Sequence, residues 1–235
     1  MAGPYYIQKY EEIIMSTDLT LLQGNCLKIM KEYKPHQFDA IVTDLPYGNN
    51  TYYGDTYVDN QENLAKLVKE FMPLALRVAT RVIITCGTKN IYVYPKPTWV
   101  LSWATPAGTG RGPWGFCCWQ PILAYGKDPY LSIGKGSRPD TIVFTGAAKK
   151  LGHPCPKPLD IMKWIVERTT LLGESILDPF MGAGTTLEAA YILNRHATGI
   201  ELNESFFLEA QQQIKLAKDK PTMEQYLQYK EQSLL

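Results

Sequence analysis

The sequence predicts an α/β fold, a doubly wound sheet of seven strands with helices on both faces. Three observations predict it. Apolar runs of four to six residues alternate with longer amphipathic stretches. Several runs are apolar throughout, as strands covered on both faces are. Two of them lead into turns rich in Asp, Pro and Gly.

Taken in order, Leu19–Leu22 reads as the first strand and Cys26–Tyr33 as the first helix. Phe38–Thr43 is a strand, and the amphipathic stretch Gln61–Arg77 is the helix that carries the chain back to the strand Arg81–Cys86. Ile122–Tyr125 and Thr141–Phe144 follow as short strands. The C-terminal part alternates helix Pro158–Thr170, strand Ser175–Leu177, helix Thr185–Leu193, strand Ala197–Ile200 and helix Glu204–Lys218. Residues after Pro221 read as a polar tail or a surface helix. There is no internal repeat.

A chain of 235 residues fits one domain, 1–235, with a modest insertion. It is long enough to bury a core without a disulfide or metal staple. Its five cysteines include no C-x-x-C pair, and Cys117 and Cys118 are adjacent, a poor spacing for zinc, so no metal site is expected. Acids stand where a signal peptide would be apolar, and no run approaches the ~18 apolar residues of a membrane span. These features predict a cytoplasmic protein that does not enter a membrane.

The net charge of +1 excludes a histone-like basic binder. It conceals an asymmetry. Residues 95–150 hold four of the five Trp, eight of the 18 Gly and seven of the 16 Pro. Seven basic residues stand there against two acidic ones, so the rest of the chain carries −4. Basic residues among aromatics and glycines suit phosphate contact and base stacking. A Trp-rich core with incidental solvated lysines fits the same composition, and the segment alone leaves both readings open.

Two constellations carry chemistry. In Ile176-Leu177-Asp178-Pro179-Phe180-Met181-Gly182-Ala183-Gly184-Thr185-Thr186 a short strand meets a glycine-rich turn and then a helix. In a doubly wound sheet this junction lies at the carboxyl edge, where ligands bind. Glu201 follows about 20 residues on, at the end of the next strand, a position suited to accepting ribose hydroxyls. A nicotinamide fingerprint would need Gly where Leu187 stands, and no Gly-Lys-Ser/Thr follows Gly184. The ligand expected is therefore a nucleoside without a pyrophosphate. The second constellation is Phe38-Asp39-Ala40-Ile41-Val42-Thr43-Asp44-Leu45-Pro46-Tyr47-Gly48. There a strand delivers Asp44 as an acceptor for an amino group, Leu45 as a backbone carbonyl, Pro46 as a stiff turn and Tyr47 as a ring face for a planar base. Both motifs end strands and should share one edge of the sheet.

The pairing of D-L-P-Y with D-P-F-M-G-A-G-T-T resembles the amino-group DNA methyltransferases that use S-adenosylmethionine. The catalytic motif comes first, which is similar to their permuted β class. Gln23-Gly24-Asn25-Cys26-Leu27 resembles their G-D-x-L, and His153-Pro154-Cys155-Pro156-Lys157-Pro158 resembles their H-P-x-x-K-P. Pro121–Lys127 resembles a late strand of their catalytic half. The resemblance spans roughly residues 19–218. Two departures stand out. The family usually has Pro at the position of Leu45, which acts through its carbonyl, and often has Asp at that of Asn25.

The resemblance implies a mixed seven-stranded sheet of the methyltransferase type, circularly permuted, with S-adenosylmethionine as cofactor. It implies catalytic roles for Asp44, Leu45, Pro46 and Tyr47. It implies cofactor binding by Asn25, Lys157, Asp178, Phe180, Gly182, Gly184, Thr185 and Glu201, with Lys157 near the methionine end. It implies as methyl acceptor the exocyclic amino group of a flipped base in double-stranded DNA, and it makes 95–150 the candidate target-recognition insertion, with Arg111, Lys135 and Arg138 as its candidate DNA contacts. Adenine N6 is favoured because cytosine-N4 enzymes of the class often carry Ser where this chain has Asp44. An RNA or protein-amide methyltransferase and a catalytically silent DNA-binding module are rival readings, the last opposed by intact Asp44, Pro46 and Tyr47. The setting implied is a prokaryote or a virus acting in one. A homodimer is left open, and any restriction endonuclease would be a separate chain.

Overall fold

The computed structural model describes residues 17–106, 108, 110–146, 152 and 154–219. The expected tail after Pro221, and Lys149, Lys150 and His153, lie outside the described residues.

In chain order the elements are β1 (Leu19–Gln23), α1 (Cys26–Glu32), β2 (Phe38–Asp44), α2 (Gln61–Val78) and β3 (Ala79–Thr85). A 3₁₀ turn, Thr88–Val93, leads to β4 (Trp99–Ala104), β5 (Gly110–Gly112), β6 (Gly115–Cys117), β7 (Trp119–Tyr125), α3 (Pro129–Ser132) and β8 (Thr141–Val143). The chain closes with α4 (Leu159–Thr169), β9 (Ser175–Asp178), α5 (Thr185–Ile192), β10 (His196–Glu201) and α6 (Glu204–Lys218).

Eight strands form one mixed sheet in the order β1-β10-β9-β2-β3-β7-β4-β8, and β7 alone among them runs against its neighbours. The sequence predicts seven; the eighth is β4. Its Trp99-Val100-Leu101-Ser102-Trp103-Ala104 follows two prolines inside a loop-rich stretch, which masks the strand pattern. Strands β4, β7 and β8 all lie within 95–150, so that stretch is in part sheet. What stands off the sheet is 105–118, which carries the separate β5–β6 hairpin, and the connection 126–140.

Alternation along the strands builds two cores. Ile41, Val82 and Ile84 face α1 and α2, packing with Met30, Leu64, Val68 and Phe71. Ala40, Val42 and Ile83 face the other way, against Ile161, Ile165, Leu187 and Ile214 of α4, α5 and α6. The order of strands reverses between β2 and β9. From β2 the chain crosses by α2 to β3 on one side, and from β9 by α5 to β10 on the other. Such a switch point leaves a crevice at the carboxyl ends of the two strands, and ligands bind in it.

Candidate active site

Both chemical motifs meet at this switch point. Asp44 ends β2 and Asp178 ends β9, which pair in parallel. The Thr43 hydroxyl donates to Asp178 Oδ1 at 2.7 Å, tying the two strand ends together. The Phe180 amide donates to the same oxygen at 3.1 Å. Asp178 is buried, and that burial pushes its pKa up to about 6 despite hydrogen bonds from Thr186 and Thr43. It serves as the bracket of the glycine-rich loop.

A cavity of about 510 Å³ opens here, within the range of small-ligand sites. Its walls include Asn25, Asp44, Pro46, Lys157, Asp178, Phe180, Gly182, Thr185 and Glu201, residues that the sequence assigns to the site. Gly182 has φ 50, a left-handed conformation, and its amide donates to Glu201 Oε2 at 3.0 Å. Glu201 Oε1 accepts from the Asn203 amide at 2.8 Å. The Leu202 amide is a third backbone donor to this carboxylate, which still has acceptor capacity for a further donor. Burial raises the Glu201 pKa. Asn25 caps α1, its side chain accepting from the Lys28 amide at 3.2 Å.

Gly184 differs from expectation. It is absent from the cavity wall, caps α5 with φ 82, and its missing Cβ would meet Ala210 Cβ of α6 at 3.3 Å. It is glycine for backbone conformation and helix packing. Leu45 likewise has its side chain buried in the core, so only its backbone is offered to the site.

The Asp44 carboxylate is held on three sides. Oδ1 accepts from the Tyr47 hydroxyl at 2.8 Å and from the Thr85 hydroxyl, and Oδ2 pairs with the Lys157 ammonium. The ammonium also lies 4.9 Å from the Tyr47 ring centroid. Lys157 therefore reaches Asp44 as well as the cavity. Burial and the neighbouring carboxylate raise the Tyr47 phenol well above its ordinary range.

Several supporting residues escape sequence reasoning. Asp59, buried at 2% exposure, accepts from the Gly48 amide at 2.6 Å and from the Asn49 and Thr51 amides at 3.0 Å each. It shapes the turn after Tyr47 from eleven residues away, with no local pattern to announce it. The Tyr47 carbonyl accepts from Asn90 Nδ2 at 2.7 Å and from Gln61 Nε2 at 3.0 Å. Gln120, at the start of β7, lies 3.5 Å from the Tyr47 hydroxyl. Thr85 was within reach of inference, because β3 ends beside β2 with Asp44 in register with Thr85. Residues Tyr53, Thr56, Tyr57 and Val58 close one side of the cavity, and Asn203 Nδ2 donates to the Tyr53 carbonyl at 3.1 Å. The buried Tyr57 hydroxyl has no hydrogen-bond partner, which suits a wall completed by a polar ligand.

Among the predicted DNA contacts only Arg111 stands at this edge. Strand β7 runs toward the opposite edge of the sheet, so Lys135 and Arg138 on the connection that follows it lie away from Asp44. Arg138 is engaged structurally. Its guanidinium lies 3.5 Å from the Tyr130 ring centroid and donates to the carbonyls of Glu167 and Arg168 at the end of α4. Lys135 folds toward the same ring, 5.8 Å from its centroid.

A model of a DNA methylase family that covers N6 and N4 enzymes matches residues 88–212. The Type II methyltransferase M2.MboI of Moraxella bovis is 43% identical over 240 residues, covering 82% of this chain and 85% of that protein. The chain belongs to this DNA methylase family. The methylase is also 24% identical over 237 residues to the Type II methyltransferase M.HpaI of Haemophilus parainfluenzae, covering 84% of this chain and 74% of that one. Its fold is shared by the solved M1.HpyAVI complex with S-adenosylmethionine, at TM-score 0.61 and 22% identity over 83% of this chain and 99% of that one. The cytosine-N4-specific PvuII DNA methyltransferase superposes with TM-score 0.63 at 11% identity, covering 84% and 86% of the two chains.

Proposed function

We infer that the methylase transfers the methyl group of S-adenosylmethionine to an exocyclic amino nitrogen of a DNA base, with adenine N6 as its target. The observation that carries this reading is the meeting of Asp44 with the glycine-rich loop and Glu201 around one cavity at the switch point. S-adenosylmethionine supplies, when bound, a methyl group already activated on a sulfonium. The chain's residues then have to position and to stabilise charge.

The cavity residues fit that cofactor. Glu201 offers its remaining acceptor capacity to the ribose hydroxyls, and Gly182 lets the ligand approach the backbone. Asn25 retains acceptor capacity toward an adenine amino group beside its capping bond. On the other side of the cavity, Asp44 and the Leu45 carbonyl would accept the two hydrogens of the target amino group. The nitrogen lone pair, otherwise conjugated with the ring, can then aim at the methyl carbon. As the N–C bond forms, the donor's S–C bond would break with its electron pair leaving on sulfur as a neutral thioether. Nitrogen becomes cationic, the nearby carboxylate stabilises that state most, and the nitrogen then releases one proton. Thr85 and Tyr47 fix Asp44 for this task. Lys157 occupies the Asp44 oxygen and the space over Tyr47 that an incoming amino group and ring would use, so it has to give way to the base. A base inside a duplex cannot reach this depth and has to be flipped out.

Asp44 itself favours adenine, since cytosine enzymes of the class often have Ser there. The test is a nucleoside digest of DNA treated with the protein and the methyl donor, read by mass spectrometry. N6-methyladenine is expected; N4-methylcytosine would replace adenine by cytosine, and no methylated amino nucleoside would overturn the reading.

A further inference from the structure

Among the described residues, the β5–β6 hairpin pairs with no other strand. Gly110 pairs with Cys117, Arg111 with Phe116 and Gly112 with Gly115, leaving Pro113 and Trp114 at the tip. Among the described residues, nothing lies within 4 Å of where a Cβ would stand on Gly110 or Gly115, and no residue of the ribbon belongs to either core. Trp114 is 100% exposed and Phe116 69%. A two-stranded hairpin is marginal in water, and a fully solvated Trp at its tip adds nothing to folding.

Its place explains it. β4 runs toward the carboxyl edge and β7 starts there, so the connection between them rises beside Asp44. The hairpin base is tied to this edge by Cys117 Sγ, 3.4 Å from the Thr88 hydroxyl. Three residues on, Gln120 lies 3.5 Å from Tyr47. Arg111 is the one charged residue of 105–118, and its guanidinium lies 5.3 Å from the Phe116 ring centroid. Exposed Lys89 neighbours Thr88 on the same edge. An aromatic tip with basic support and no acid matches stacked bases flanked by phosphates. A two-stranded ribbon also fits a major groove, and wedging side chains unstack base steps.

We propose that the hairpin is the wedge that opens duplex DNA: Trp114 enters the base stack where the target base leaves, and Arg111, steadied by Phe116, holds a flanking phosphate. This rests on the DNA methyltransferase reading and adds to it the device that exposes the base.

Trp114→Ala separates wedge from chemistry. Trp114 is solvent-exposed, so the variant should fold, and Trp114→Phe should restore function. On a matched duplex methyl transfer should fall about ten- to a hundredfold, the worth of one lost stacking contact. On a duplex whose target base faces an abasic site, already unpaired, it should fall by less than about threefold. With 2-aminopurine at the target position, the wild type should brighten its fluorescence and Trp114→Ala should not. Equal activity of variant and wild type on the matched duplex, or an equal loss on both substrates, would overturn the wedge while leaving the methyltransferase reading intact. Absence of methyl transfer by the wild type on either DNA would remove that reading, and the wedge with it.

Discussion

The Asp44 carboxylate, to which the proposed function assigns the amino group, has few degrees of freedom. Thr85 and Tyr47 hold one oxygen and Lys157 the other, so the acid is aimed before any substrate arrives. Behind it, Asp59 gathers three backbone amides of the next turn. Asp59→Ala would strand those buried donors, and we expect a stability loss on the order of 3 kcal/mol in chemical denaturation, with slower methyl transfer. A variant as stable and active as the wild type would deny Asp59 that role. Glu201→Gln should weaken binding of the methyl donor about tenfold by calorimetry, through loss of charge-assisted hydrogen bonds. Asp178 predicts a pH effect of definite sign. Its folded pKa of about 6 lies above the ordinary 3.8, so the folded chain holds a proton that the unfolded chain releases. Between about pH 4 and pH 6 this group makes stability fall as pH rises. Asp178→Asn keeps an oxygen for Thr43 and Phe180 and removes that contribution. Denaturation midpoints measured across the window should therefore differ in slope between the two proteins, with the variant gaining relative to wild type at the upper end. Parallel profiles would contradict it.

Among the elements, the strands with apolar cores and the helices with capped amphipathic faces were legible. Phe38–Asp44, Ser175–Asp178 and His196–Glu201 follow the expected Phe38–Thr43, Ser175–Leu177 and Ala197–Ile200 closely, because burial on both faces leaves a plain apolar run. β4 was not legible, since its Trp and Ser residues sit between prolines and glycines in a stretch that reads as loop. The β5–β6 hairpin was hidden for another reason. Half of its eight residues are Gly or Pro, and it buries nothing that would impose a period. That independence from the core predicts its own test. Trp114→Ala should leave unfolding free energy within about 0.5 kcal/mol of wild type, as exposed substitutions do. A larger loss would mean that the tip packs on the body.

At the scale of the whole molecule, the topology made the site readable and also set the limit of that reading. Two motifs 134 residues apart in the chain could be placed at one edge because each ends a parallel strand, and β2 and β9 are neighbours at the switch point. The side of the sheet on which a loop emerges was not readable, because it depends on the direction of β7. That is why Arg111 lies at the edge of Asp44 while Lys135 and Arg138 lie at the opposite one. The described basic residues of 95–150 are correspondingly divided between two edges. Arg111→Ala should therefore reduce the steepness of DNA binding with salt by about one, while Arg138→Ala leaves it unchanged. Equal slopes for all three proteins would remove Arg111 from the interface.

The central claim, that Asp44 at the switch point drives methyl transfer to an amino group, is tested most directly by one comparison. Wild type and Asp44→Ala are given labelled S-adenosylmethionine and duplex DNA, and label in DNA is measured alongside donor binding by calorimetry. The account predicts label in DNA from the wild type, none from the variant, and similar donor affinity for both. Equal labelling by Asp44→Ala would contradict it.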